Sequence, residues 1–99
     1  MVRRSSRQRQ RDLREFGEHL RRWRRVNGLS ATQVAERASI TRETLRNIEH
    51  GTGTARLDSV FAVLAALGIT DAILRGANPY NSEAARARID DIINGGGEL

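Results

Sequence analysis

The chain has 99 residues, with 17 basic against 12 acidic side chains and a formal charge of +5; it contains no cysteine, and every basic residue is arginine. That length suits a single domain with one adequate core, and the missing cysteines exclude a disulfide framework or a thiolate metal site. No run of eighteen apolar residues occurs and the arginine-rich start is not followed by an apolar segment, so the sequence predicts neither a membrane span nor a secretory signal, and a cytoplasmic location.

Charge is unevenly spread. Residues 1–25 carry ten Arg against Asp12, Glu15 and Glu18, a local +7, whereas residues 76–99 carry Arg86 and Arg88 against four acidic residues, a local −2. A basic end on a compact domain favours a polyanionic partner. The only aromatics are Phe16, Trp23, Phe61 and Tyr80, too few for a platform that stacks single-stranded bases, so duplex DNA is the preferred polyanion.

In chain order, residues 1–11, including VRRSSRQRQR, are read as a basic flexible arm along phosphates or into a minor groove, the alternative being a helical extension capped by Ser5 or Ser6. Leu13, Phe16, Leu20, Trp23 and Val26 then recur at steps of three and four, which predicts a first amphipathic helix from Asp12 to Asn27, ended by Gly28. Its other faces carry Arg14, Arg21, Arg22 and Arg25, with Glu18 spaced to pair with Arg14, Arg21 or Arg22.

The segment LSATQVAERASITRETLRNIEHG, Leu29 to Gly51, spells two short helices and a tight turn. Ser30 and Gln33 have the spacing of a capping box, with Leu29 and Val34 as the accompanying staple; a helix from about Ala31 to Ala38 then buries Val34, Ala35 and Ala38. The same grammar recurs eleven residues on, with Thr41 as N-cap, Ile40 and Leu45 as staple, Ile48 on the apolar face and Gly51 as the stop. Arg42, Glu43, Thr44, Arg46 and Asn47 are left pointing outward from this helix. Arg reads guanine and Asn reads adenine through paired hydrogen bonds in a major groove, and Thr meets a thymine methyl or a phosphate. As isolated polar residues on a helix they would equally well be solvated surface.

Downstream, Leu57, Val60, Phe61, Val63, Leu64 and Leu67 draw a wide apolar stripe closed by Gly68, a fourth and largely buried helix, followed by a short fifth turn at Asp71 to Leu74. No β-period alternation occurs, so the domain is all-α. Beyond Gly76, Pro79 breaks the chain and Asn81 or Ser82 offers a cap. Ala84, Ala85, Ile89, Ile92 and Ile93 form a stripe on a helix of about Ser82 to Ile93, and three glycines end it. This C-terminal helix either covers the domain's own core or serves as a dimer contact.

Taken together, FGEHLRRWRRVNGLS, the two-helix segment and LDSVFAVLAALGI resemble the DNA-binding domain of the phage repressor and Cro family, the Xre-type helix-turn-helix regulators, over roughly residues 13–74. The resemblance implies a compact five-helix repressor-like domain at 12–75, an extension with an additional helix at 76–94 and a flexible tail at 95–99. It implies a structural ion pair between Arg24 and Glu49, base contacts from Arg42, Glu43, Thr44, Arg46 and Asn47, and phosphate contacts from Thr32, Gln33 and Thr41. Two positions depart from the family. Ala31 stands where a phosphate-bonding Gln usually opens the second helix, so that contact is lost or moved to Thr32 or Gln33; Ser39 stands where the turn usually has Gly, and must either accept a left-handed backbone or alter the turn.

The function this implies is a sequence-specific double-stranded DNA-binding regulator, a repressor, engaging its operator as a homodimer. NPYNSEAARAR also resembles small regulators that accompany a toxin kinase, so the alternative is an antitoxin that binds a toxin protein and controls its own operon. An enzyme is not expected: His19 and His50 are the only histidines, without a nucleophile or carboxylate at motif spacing, and no metal or other cofactor is implied.

Overall fold

The computed structural model of the protein describes residues 6–99, and among these only helices and their connections occur. They are α1 (Ser6–Val26), α2 (Ala31–Ala38), α3 (Arg42–Glu49), α4 (Leu57–Leu67), α5 (Thr70–Ala77), a single 3-10 turn (Pro79–Asn81) and α6 (Glu83–Asn94). The chain divides into two units, one ending at Ile69 and the other running from Thr70 to Leu99.

In the first unit, α2 lies against α4 and α3, while α1 lies against α3 and α4. Leu20, Val34, Leu45, Val63 and Leu64 are the largest fully buried side chains, joined by Ala35, Ala38, Ile48, Leu67 and Ile69. The three- and four-residue steps therefore reach the core from every helix. Burying a Leu or Val side chain contributes about 1.5–3 kcal/mol, so this cluster outweighs any single polar contact of the unit. Two ends of the predicted stripes stay outside it: Trp23 is 44% and Val26 75% exposed at the end of α1, and Leu57 is 72% exposed at the start of α4. Apolar spacing alone therefore overstates burial at these positions.

The chain start differs from expectation. Ser6 to Arg11, expected within a flexible arm, forms the first turns of α1, while the arm's residues 1–5 lie outside the described residues. The segment contains good helix formers without Gly or Pro, and extending an existing helix carries no nucleation cost. All of Ser6 to Asp12 is solvent-exposed.

Local chemistry sets the joints. The Ser30 Oγ accepts from the Gln33 amide at 3.1 Å while Gln33 Oε1 accepts from the Ser30 amide at 2.8 Å, completing the capping box. Ser39 takes the left-handed conformation, φ 55° and ψ 43°, and its turn closes with the Ile40 amide donating to the Ala35 carbonyl at 3.0 Å. Serine thus keeps the turn that glycine would adopt without strain. Gly17, in the middle of α1, allows close approach: a Cβ there would fall on the carbonyls of Ile48 and Glu49. A further tie joins the Asn27 side-chain amide to the Leu67 carbonyl at 3.0 Å.

In the second unit, α5 is a full eight-residue helix rather than a short turn. The fifth helix, placed with the N-terminal four by sequence, clusters instead with α6. The Asn81 amide donates to the Arg75 carbonyl at 3.1 Å, and the Asn78 carboxamide oxygen accepts from the Tyr80 amide at 3.0 Å, which fasten the 3-10 turn onto the end of α5. Of the two cap candidates Ser82 serves, its Oγ accepting from the Ala85 amide at 3.2 Å. Ile89 is buried, whereas Ile92 and Ile93 are about half exposed.

Candidate nucleic-acid interface

The site is built around α3. Thr41 starts it, its Oγ1 accepting from the Thr44 amide at 3.0 Å and donating to Thr44 Oγ1 at 2.9 Å. Leu45 and Ile48 are its only fully buried residues. Arg42, Glu43 and Arg46 are exposed and Asn47 is half-buried. The loop beyond α3 is closed onto its last turn by Gly51, at φ 69°, and by the Thr52 hydroxyl donating to the Asn47 carbonyl at 3.2 Å.

One ion pair ties the end of α3 to α1. Arg24 Nε donates to Glu49 Oε2 at 2.8 Å and Nη2 donates to Oε1 at 3.1 Å, a bidentate pair whose side chains are only 16% and 9% exposed. Arg24 Nη1 also donates to the Leu29 carbonyl at 3.4 Å. The same guanidinium therefore touches α1, the end of α3 and the entry to α2. The hydrogen bond that Arg24 donates to Glu49 raises the Arg24 pKa above the ordinary guanidinium range, so Arg24 stays charged throughout the pH range in which proteins fold.

Arg42, Glu43, Arg46 and Asn47 line one solvent-open cleft together with Ala31 at the start of α2 and Arg21 on α1. Arg24, Leu45, Glu49 and His50 complete its walls. Four arginines against two glutamates leave the cleft with a net charge of +2. Its polar, open character suits an anionic surface rather than an enclosed apolar ligand.

Of the residues singled out from sequence, Thr44 lies outside the cleft, half-buried and bonded to Thr41, and Thr32, Gln33 and Thr41 are exposed and likewise outside its lining. Gln33 commits Oε1 to the cap, which leaves its amide nitrogen to donate outward. Sequence reasoning passed over Arg21. The signal was present, because Arg21 stands three residues before Arg24 and so shares its face of the helix. Glu18, one candidate partner for Arg21, pairs instead with Arg22 at 3.3 Å.

Among the described residues no group of three or more His, Asp or Glu side chains is placed to hold a metal ion, and no helix is long and apolar enough to cross a membrane.

Comparison with known proteins agrees with this geometry. Residues 15–77 match the family model of a helix-turn-helix domain. Among solved structures, the restriction-modification controller protein C.AhdI from Aeromonas hydrophila is similar, with 30% sequence identity and a TM-score of 0.56 over 60% of this chain and 89% of that one. No curated protein sequence matches the chain significantly.

Proposed function

The chain belongs to the Xre-type helix-turn-helix family of DNA-binding transcriptional regulators, and from that membership we propose that it is a sequence-specific repressor that reads the major groove of an operator with α3. The observation that carries this reading is the cleft: Arg42, Arg46 and Asn47 stand on one face of a helix whose other face is buried and whose end is clamped by the Arg24 and Glu49 pair. Arg42 and Glu43, on the first turn, enter the groove first, and Asn47 follows one turn later. Arginine offers a fork to guanine O6 and N7, asparagine a donor and an acceptor to adenine, and Glu43 an acceptor for cytosine N4. In this reading the exposed Thr32, Gln33 amide and Thr41 bond adjoining phosphates, and set register rather than sequence.

Selection of bound duplexes from a random pool, followed by footprinting, tests this. Arg42→Ala and Asn47→Ala are each expected to weaken the selected site by about 1–3 kcal/mol and to relax preference at one position. Undiminished affinity and an unaltered footprint in both variants would remove α3 from the role of reader.

Operator binding by two copies completes the proposal, since half-sites about 34–36 Å apart match a two-fold symmetric protein. The exposed Ile92 and Ile93 on α6 are the proposed subunit contact. Sedimentation of Ile92→Asp/Ile93→Asp is expected to report monomer where the parent protein reports dimer. The similarity to a restriction-modification controller favours transcriptional control, and nothing in these comparisons supports the toxin partner that the sequence raised.

A further inference from the structure

The described N-terminal turns of α1, Ser6 to Asp12, bury nothing, so core packing does not explain their composition. Angular position along the helix groups two of their three arginines, Arg7 and Arg11, with others further along. At 100° per residue, Arg7, Arg11, Arg14, Arg21 and Arg25 all fall within about 40° of one line along α1. From the first to the last they span about 27 Å at 1.5 Å per residue. All five are exposed, and none has an ion-pair partner among the described residues. The one acidic residue in the stripe, Glu18, is turned to Arg22 on its edge.

The stripe also has a definite place relative to α3. The flank of α1 bearing Gly17 and Arg24 is the one that meets the end of α3. Arg21 is the member of the stripe nearest that flank, and lines the same cleft as Arg42 and Arg46. The positive surface is therefore continuous from the reading helix, through Arg21, onto α1. Ala31, at the mouth of α2 in the same cleft, has only a methyl group and donates nothing to a phosphate. Arg21 is the cationic donor beside it.

We infer that the arginine stripe of α1 is a second DNA-binding surface, a rigid rail that holds the phosphate backbone next to the half-site read by α3, with Arg21 as its anchor in the cleft. Unlike a flexible arm, a helical rail presents its charges at fixed spacing and loses little conformational freedom on binding. It reads no bases, so it adds affinity to any duplex and steepens the salt dependence. The inference rests on the DNA-binding reading of α3 and is tested separately from it.

The experiment measures the affinity of the full chain for its selected operator and for a scrambled duplex across a salt series. Arg7→Gln/Arg11→Gln/Arg14→Gln, three exposed substitutions remote from the cleft, are expected to leave melting and base preference unchanged. The slope of log K against log salt should become shallower on both duplexes by about 0.9 for each phosphate contact given up, hence by about 2.7 for the triple variant and about 0.9 for Arg21→Gln. An unaltered slope in the triple variant, while Asn47→Ala still loses base preference, would overturn the rail and leave α3 in place. The reverse pattern, a shallower slope in the triple variant with Arg42→Ala and Asn47→Ala silent, would uphold the rail and remove α3. A triple variant that loses binding to heparin yet keeps its duplex slope would assign the stripe to another polyanion and likewise overturn the inference.

Discussion

Replacing Glu49 with alanine isolates what the clamp on α3 is worth. The substitution leaves the Arg24 guanidinium, 16% exposed, with only the 3.4 Å bond to the Leu29 carbonyl. Breaking one side of a buried ion pair costs about 3–5 kcal/mol, because the remaining charge is stranded. Arg24 retains some access to water, which places the expected loss at the lower end, about 3 kcal/mol. In a domain of this size that lowers the melting temperature by about 12–24 °C, at about 4–8 °C per kcal/mol. Arg24→Met/Glu49→Leu removes both charges and restores apolar volume, and is expected to recover much of the loss. Urea unfolding followed by helical circular dichroism reads both variants, and a double-mutant cycle of Arg24→Ala with Glu49→Ala should show coupling of about 1–3 kcal/mol. Additive single effects, or a Glu49→Ala loss below about 0.5 kcal/mol, would refute the reasoning. The pH dependence follows from sign. Arg24 has its folded pKa raised by the Glu49 hydrogen bond, so this contribution is fully present below the unfolded arginine pKa and is lost only as pH rises through the folded value. Titrating Arg24 therefore introduces no stability change between neutral and moderately alkaline pH.

Three further substitutions test the joints. Ser39→Gly relieves a left-handed serine; a relief of about 1–2 kcal/mol, offset by glycine's greater unfolded-state freedom of about 0.4–1 kcal/mol, should stabilise the fold by up to about 1.6 kcal/mol, measurable as a higher urea midpoint. Gly17→Ala gains about 1 kcal/mol of helix propensity, yet its methyl group would collide with the backbone of Ile48 and Glu49, and overpacking costs about 1–3 kcal/mol. Thermal melting is expected to show net destabilisation, and a rise in melting temperature would show that α1 and α3 can part without cost. Ser30→Ala removes one half of the capping box and should cost about 1 kcal/mol by chemical denaturation, with hydrogen exchange accelerating first in the amides at the start of α2.

Much of the molecule was legible because its signals are local. A capping box needs only Ser30 and Gln33, and a helix face needs only apolar steps such as Leu13, Phe16 and Leu20, so α2, α3, α4 and most of α1 could be placed by counting. The family pattern extended this to a contact between residues 25 apart, Arg24 and Glu49. Where reasoning from sequence missed, the deciding quantity was spatial. Ser6 to Arg11 carries no apolar period, and its helicity comes from growth on a helix already anchored downstream. Trp23 and Val26 follow the steps of three and four but, at 100° per residue, drift about 60° and 120° away from Leu20 and stay exposed. Gly17 was an unremarked residue inside a helix until the backbone of α3 was placed against it.

By itself, then, the sequence determined an all-α chain, the residues facing its core, the turns that stop its helices and the polar face of α3, because hydrogen bonding and hydrophobic period act over a few residues. The family pattern had already paired Arg24 with Glu49, and tertiary structure decided how the other charges meet. It chose Arg22 among the three candidates for Glu18, and it left Arg21 in the cleft with Arg42 and Arg46. Coulombic and steric terms depend on distance through space, and among so many arginines no count along the chain distinguishes one held in a pair from one open to a phosphate.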